Sequence, residues 1–288
     1  MKREQIIVPA WRNSDAPEAA SSRQTLVMRC DASGLSQCEP DVLAQEVPVA
    51  LAFNDISHAT LLASPSDLED FAYGFSYTEG IIRGPEDIYE INVSSQPVGI
   101  VLNVRIASAC MQQLKLRRRN MAGRTGCGLC GVESLDAVER ELMPVPGQSA
   151  RYDAHALSAA VTQLRERQPL HQATGATHAA GWAALDGHID AVREDVGRHN
   201  ALDKLIGARL RQGLSFSDGF AAISSRASFE MVQKSAAAGI GALIAVSAPT
   251  AYAVDLADRL NLLLAGFARG DRYTIYSHAE YLHDGSPA

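Results

Sequence analysis

The sequence contains few cysteines and no long hydrophobic run. Five cysteines occur in 288 residues, an odd number in a chain far larger than the small domains that disulfides hold together, which argues against a disulfide framework. No segment approaches the roughly 20 apolar residues of a membrane-spanning helix, and the N-terminus has no apolar signal core. We therefore expect a protein of the reducing cytoplasm with no membrane partner.

An excess of positive charge is also absent. The formal net charge is -7, from 26 Lys and Arg against 33 Asp and Glu, which argues against nucleic acid as a partner. Neither a GxGxxG fingerprint nor a P-loop occurs, so a Rossmann-type dinucleotide site or an ATPase has no support. Apolar residues at 47% and charged residues at 20% are ordinary for a globular enzyme.

Composition and turn signals divide the chain into three predicted regions. Residues 1–23 are polar and rich in Ala and Ser, which predicts a disordered tail. Residues 24–146 form a β-rich region, with strands at 25–30, 47–53 and 58–63, a helix capped by Ser66, a hairpin of EINVSS and GIVLNVRI, and a helix of ESLDAVERELM. The sequence PVPG at 144–147 marks the boundary.

The third region, 147–288, alternates helix and strand patterns. This alternation predicts an α/β layered sandwich. Its last helix is predicted over YAVDLADRLNLLL, 252–264, followed by a loop, GFARGDR, and a final strand, YTIYS.

The segment 115–131 is basic, glycine-rich and without apolar periodicity, which predicts an exposed loop. It carries a CxxC pair, Cys127 and Cys130. Positive side chains at 117–119 and 124 favour the thiolate, and the glycines at 123, 126, 128 and 131 allow the backbone to move. These properties suit a cysteine that transfers a group, and they predict rapid amide exchange over 117–131. A zinc site completed by two distant histidines, or a dithiol redox pair, stays open as an alternative.

A second set of polar residues follows the strands of the third region. Helix starts bind anions through their free N–H groups, and ligands of open α/β sheets lie beyond the carboxyl ends of the strands. Ser228 and Thr250 are each also explained as simple helix caps. The candidate residues of these turns are Gly197, Arg198, His199, Arg226, Ser228 and Thr250. The loop 266–272 adds Gly270 and two arginines that could contact phosphate.

Five motifs in this order resemble the FdhD/NarQ family of formate dehydrogenase accessory sulfurtransferases. They are TGCGLCG, EDVGRHNALDKLIG, SSRASFEMVQK, AVSAPTAYAVDLA and GFARGDR, and the resemblance runs from about residue 45 to the C-terminus. One departure is Ser225, where the family pattern leads us to expect glycine.

The resemblance implies a function. In that family a cysteine desulfurase passes persulfide sulfur to the CxxC loop, and the protein delivers it to the molybdenum cofactor, in its bis-guanine dinucleotide form, before insertion into formate dehydrogenase. By position Cys127 would bear the persulfide and Cys130 would be its partner. The implied cofactor-binding segment is Gly266, Phe267, Ala268, Arg269, Gly270 and Asp271, for which GDP would be an analogue.

The family resemblance further implies a cytidine-deaminase-like fold, a homodimer, and contacts with the formate dehydrogenase catalytic subunit. The deaminase zinc signature is absent, so neither deamination nor a metal is expected. Three hypotheses remain at this point: a sulfurtransferase acting on the molybdenum cofactor, a non-catalytic escort for that cofactor, and a zinc-stapled nucleotide-binding protein.

Overall fold

A computed structural model describes residues 20–31, 34–122, 140–147 and 151–283. The first described elements form a two-stranded antiparallel ribbon, β1 (Ser22–Asp31) and β2 (Gly34–Ala44). The predicted tail therefore ends too late, because Ser22 and Arg23 already pair with β2.

A four-stranded mixed sheet follows, in the order β4-β3-β6-β5. Only the central pair, β3 and β6, is parallel. The buried side chains of this sheet pack with two helices into one hydrophobic cluster. The elements are β3 (Val47–Phe53), β4 (Ile56–Ala63), α1 (Leu68–Thr78), a 3-10 turn (Pro85–Asp87), β5 (Ile88–Gln96), β6 (Gly99–Ile106) and α2 (Ser108–Ala122).

A six-stranded mixed sheet forms the rest of the molecule, in the order β13-β12-β11-β10-β8-β9. Four of its strands, β9 to β12, run in one direction, while β8 and β13 run antiparallel to their neighbours. The six are β8 (His178–Ala184), β9 (Ile189–Asp195), β10 (Gly219–Ile223), β11 (Ala242–Ala245), β12 (Leu263–Arg269) and β13 (Arg272–Ser277).

Helices cover both faces of this sheet. One face packs with α5 (Arg198–Arg211), α6 (Phe229–Ala237) and α7 (Ala251–Arg259), and the other with α3 (Ala154–Glu166). A short helix, α4 (Pro169–Thr174), follows α3, and β7 (Tyr152–Asp153) pairs with β14 (Leu282–His283). The predicted mixed α/β class is confirmed, while the likeness to cytidine deaminases stays a prediction.

Several predicted elements are wrong in their bounds or type. The loop predicted over 115–131 begins as helix, since α2 extends to Ala122. The helix predicted over 252–264 ends at Arg259, and Leu263 starts β12, so five of the seven residues of the predicted loop GFARGDR are in strands. Asp67, not Ser66, precedes α1, and its side chain makes no capping hydrogen bond. Residues 140–143, predicted as the end of a helix, are not helical.

Two glycines allow α1 and α5 to cross in backbone contact. A Cβ atom on Gly74 would lie 1.7 Å from the backbone oxygen of Asp203, and one on Gly207 would lie 1.8 Å from that of Asp70. Both distances are far below van der Waals contact, and a backbone oxygen cannot move aside as a flexible side chain can. The crossing joins the four-stranded sheet region to the six-stranded one.

Buried ionic groups surround the same crossing. Lys234 Nζ lies 2.9 Å from Asp203 Oδ2 and 2.8 Å from Glu79 Oε1, and Thr78 Oγ1 donates to Asp203 Oδ1 at 2.7 Å. Burial lowers the pKa of Lys234, but the charges of Asp203 and Glu79 outweigh it and raise the pKa overall. The lysine is therefore charged in the interior, where removing its partners would be costly.

We predict that Gly207→Ala destabilises the protein. Alanine improves helix propensity by up to about 1 kcal/mol, but forcing a methyl group against backbone costs about 1–3 kcal/mol or more, so the clash prevails. Chemical denaturation should show a net loss of about 1–2 kcal/mol in the free energy of unfolding. Gly147→Ala is the control, because among the residues that the structure describes its Cβ would meet only the Tyr281 hydroxyl, at 3.7 Å. Equal stability of the two variants would contradict the glycine crossing.

Candidate functional site

The carboxyl ends of β9, β10, β11 and β12 lie at one edge of the six-stranded sheet, because these strands are parallel. The predicted ligand-binding residues outside the CxxC segment lie in the loops that follow these strands, at the start of α5 and in the last four residues of β12. We call this edge, with its four loops, the carboxyl edge. Its loops are 196–197, 224–228, 246–250 and the β12–β13 turn around Gly270.

The turn from β9 to α5 is organised by the carboxylate of Asp195, which is fully buried. Asp195 Oδ1 accepts from the backbone N–H of Gly197 at 2.7 Å and from Asn200 Nδ2 at 2.9 Å. Its other oxygen lies 2.6 Å from Lys204 Nζ, which is also fully buried. Several polar residues of the motif EDVGRHNALDK, 194–204, are therefore structural. Their contacts hold Gly197 at the start of α5.

Arg198 and His199, the next two predicted residues, both face Glu230 on α6. His199 Nε2 lies 2.7 Å from Glu230 Oε2, and Arg198 Nη2 lies 3.9 Å from the same oxygen. The close approach of the His199 ring lowers the pKa of Glu230, against the opposing effect of burial. These contacts bring the starts of α5 and α6 together, although β8 separates their strands in the sheet.

The turn from β10 to α6 carries Arg226 and Ser228. Arg226 is exposed, and within the described residues it makes no ion pair. Ser228 occupies the N-cap position of α6 but makes no capping hydrogen bond, so the explanation of Ser228 as a simple cap is wrong. Its Oγ is buried without a hydrogen-bond partner, and the residue is 7% exposed. A buried hydroxyl without a partner costs free energy that a ligand could recover.

The turn from β11 to α7 lies against the previous one. Ala227 and Pro249 form an isolated parallel bridge, and Thr250 N donates to Ala227 O at 3.0 Å. Thr250 Oγ1 accepts from Ala253 N at 3.3 Å, so this predicted cap is confirmed. The two turns thus form one continuous surface, in which the Thr250 hydroxyl already has a structural partner.

The segment 266–271 lies beside these turns. Phe267 N donates to Ser247 O at 3.2 Å, and a Cβ on Gly266 would lie 2.9 Å from Pro249 Cδ. Phe267 has a left-handed backbone, with φ of 54°, and is 54% exposed, while Ala268 is buried. Arg269 and Asp271 are exposed, and Gly270, with φ of 55°, completes the turn. This segment therefore lies next to the 246–250 loop.

A cleft that the sequence did not reveal opens at the same edge, with a volume of about 550 Å³. It lies between α4, the start of β8 and the ends of β10 and β11, and we call it the histidine cleft. Because β8 is antiparallel, its amino end reaches the edge where the other strands end. The residues just before β8 and at its start, such as Thr177 and His178, therefore lie beside the loops that follow the other strands. A sequence prediction that considers only residues after strands does not include them. The lining of the cleft includes Arg165, His171, Thr177, His178, Ser224 and Val246.

The pKa of His178 is lowered, first by burial and then by the positive charge of Arg198. The neutral imidazole is therefore favoured at neutral pH in the folded protein. Since the folded pKa lies below the unfolded one, this group contributes stability above about pH 6.5, and the contribution is lost as the pH falls through the folded pKa.

Cys127 and Cys130 lie outside the described residues, and so do the other glycines and arginines of 123–131. Arg117 was expected to bring positive charge to the thiols, but its Nη1 donates to Gly80 O at 3.0 Å, beyond the end of α1. No cluster of three or more metal-binding side chains occurs among residues that the structure describes. That finding does not bear on a zinc ion at the CxxC pair.

Taken together, the loops and the cleft define an α/β protein with a cationic sheet edge suited to an anionic ligand. Comparison with known proteins specifies the family. The FdhD/NarQ family model matches residues 44–283, and the chain belongs to this family. In the part of the chain that the structure describes, no helix is long and apolar enough to cross a membrane.

Curated relatives cover most of the chain. A sulfur carrier protein FdhD of Bordetella bronchiseptica is 56% identical over 242 residues, which are 84% of this chain and 87% of the relative. A protein of the same name from Variovorax paradoxus is 48% identical over 275 residues, 96% of this chain and 98% of the relative.

A solved structure supports the fold. The crystal structure of a proposed formate dehydrogenase accessory protein from Desulfotalea psychrophila superposes with a TM-score of 0.73. It is 23% identical and covers 92% of this chain and 100% of its own. At that identity the likeness concerns the fold alone.

We predict that Arg198→Gln raises the pKa of His178 toward its ordinary value, because the substitution removes a positive charge that disfavours the imidazolium. An NMR pH titration of the imidazole proton signals measures this pKa directly. Arg226→Gln is the matched control, since Arg226 is not among the charges that act on His178. An unchanged His178 pKa in Arg198→Gln would show that the two side chains are not coupled.

Proposed function

We propose that the protein is a sulfurtransferase that carries sulfur during the maturation of formate dehydrogenase. Cys127 receives sulfur from a cysteine desulfurase, and the protein passes it to the molybdenum cofactor in its bis-guanine dinucleotide form. The names of the curated relatives, which are sulfur carrier proteins, support the sulfur-carrying role. The CxxC pair supplies the thiols that such a role requires, in a chain with few other cysteines.

The loading step is thiol–persulfide exchange. The Cys127 thiolate attacks the outer sulfur of the desulfurase persulfide, forming a new S–S bond while the desulfurase thiolate leaves. Cys127 then bears the persulfide. In the delivery step the Cys130 thiolate attacks the inner sulfur, the S–S bond to the outer sulfur breaks, and hydrosulfide leaves for the cofactor. A Cys127–Cys130 disulfide remains, which a cellular thiol must reduce before the next cycle.

The carboxyl edge supplies the binding site for the cofactor in this proposal. A guanine dinucleotide carries pyrophosphate, and phosphates bind at helix starts, to arginines and to free hydroxyl groups. The observation that carries this step is the buried Ser228 hydroxyl without a partner, next to the exposed Arg226 and adjoining the loop that leads to Arg269. The proposed contacts are made by Gly197, Arg198, His199, Arg226, Ser228, Thr250 and the segment 266–271.

A second candidate function is a non-catalytic escort that binds the cofactor and brings it to the formate dehydrogenase catalytic subunit. The carboxyl edge favours it, because the binding groups of this edge do not depend on the thiols. A homodimer and a cytoplasmic location are proposed with either function. Maturation of formate dehydrogenase by a Cys127→Ala variant separates the two, since an escort retains activity without the thiol.

We predict that Cys127 accepts the sulfur. Intact-protein mass spectrometry after incubation with a desulfurase and cysteine should show a gain of one sulfur atom, and Cys127→Ala should lose it. Cys38→Ala is the control, because Cys38 is a free, exposed thiol outside the CxxC segment. Unchanged loading of Cys127→Ala would reject this assignment.

We predict that Arg269→Ala weakens GDP binding by about 1.5–3 kcal/mol, the usual contribution of a hydrogen bond to a charged group. Calorimetric titration with GDP measures the change. Arg105→Ala is the control, because it removes an exposed arginine that pairs with Glu90 on the four-stranded sheet. Equal affinities of Arg269→Ala and the wild type would exclude a phosphate contact by Arg269.

A further inference from the structure

The histidine cleft has the size of a ligand site. Its volume of about 550 Å³ lies within the range of roughly 300–1,000 Å³ that is usual for small-molecule pockets. It shares two lining residues with the loops of the carboxyl edge, since Ser224 begins the 224–228 loop and Val246 begins the 246–250 loop. None of the candidate site residues named from the sequence lines it.

The polar groups of the cleft are held in place by Glu194. Its carboxylate accepts from the backbone N–H groups of Leu170 and His171, at 2.9 and 2.8 Å, and from Thr177 Oγ1 at 3.1 Å. His171 Nδ1 donates to Thr177 O at 2.8 Å. The His171 ring is therefore fixed in orientation and protonated on Nδ1, as a preorganised binding group should be.

Other polar groups of the cleft have unused hydrogen-bonding capacity. Ser224 Oγ accepts from Ala179 N at 2.8 Å, and no described residue accepts its hydroxyl proton. The guanidinium of Arg165 and the ring of His178 make no hydrogen bond with any side chain or backbone group in the described ranges. A cleft with several unused donors is suited to an acceptor-rich ligand.

Charge decides the class of that ligand. The lining contains a guanidinium and two imidazoles but no carboxylate, and Glu194 is already occupied by three donors. Arg198, His171 and His199 disfavour the positive form of His178, and Asp195 favours it. Two imidazoles beside an arginine are too few ligands, in too positive a setting, for a structural zinc ion. Phosphate oxygens, which only accept, match these groups.

We propose that the histidine cleft is a second phosphate-binding subsite at the carboxyl edge, which takes a pyrophosphate group separately from the helix starts and the segment 266–271. The inference rests on the proposed function in one respect: a cofactor with two guanine dinucleotide arms carries two pyrophosphates, and one chain offers a subsite for each. Arg165, His171 and His178 would contact the phosphate oxygens, with the Ser224 hydroxyl as a further donor.

Calorimetry with inorganic pyrophosphate on the full-length protein tests this. Substituting both Arg165→Gln and His178→Gln should lower the number of pyrophosphates bound per chain by one, or weaken one class of sites about tenfold or more. Substituting both Arg226→Gln and Arg269→Gln should leave the cleft occupied. Arg105→Gln serves as the surface-arginine control.

An NMR readout distinguishes binding from a change in folding. In wild-type protein, saturating pyrophosphate should raise the pKa of His178, because an anion stabilises the imidazolium. The proposal is overturned if the His178 signals do not move, if the cleft variant binds like the wild type, or if Zn²⁺ alone moves these signals and pyrophosphate does not. Sulfur loading of Cys127 is measured separately. Its failure would reject the proposed function, while the pyrophosphate result would still decide the role of the cleft.

Discussion

The backbone contact between α1 and α5 is the constraint on which the rest of the structure depends. Gly74 and Gly207 let the two helices approach until a Cβ on either would overlap a backbone oxygen. At that distance Asp70 on α1 reaches Arg193 and Arg211, with its Oδ2 2.9 Å from Arg193 Nε. The crossing therefore sets both the docking of the two sheet regions and the charges that have to be neutralised between them.

This docking also explains why the carboxyl edge is preorganised. The end of β4 holds the turn from β9 to α5, where Lys204 Nζ donates to Ser64 O at 3.0 Å and Asn200 Nδ2 donates to Leu62 O at 2.8 Å. The motif at 194–204 therefore contains residues with two different roles, one structural and one at the carboxyl edge. Its buried members, Asp195 and Lys204, join the two regions, while Arg198 and His199 face Glu230.

A chain with net negative charge nevertheless presents a cationic edge, and the location of the carboxylates accounts for this. Asp195 and Asp203 are buried with lysines in the interior, so they do not neutralise surface arginines. Arg226 and Arg269 form no ion pair with any residue in the described ranges. Preorganised positive groups with no internal counter-charge bind an anion without first having to break an ion pair.

The sequence by itself determined the mixed α/β class, most element positions and the family, because apolar periodicity, turn residues and motif order are local properties. It failed at NLLLAGF, where one apolar run continues from α7 into β12, and at the basic start of the 115–131 segment, where α2 continues to Ala122. Only the tertiary structure decided that β8 is antiparallel, which brings His178 to the carboxyl edge, and that the Ser228 hydroxyl lacks a partner. Both depend on which segments meet in space, and long-range pairing leaves no periodic signal in a single sequence.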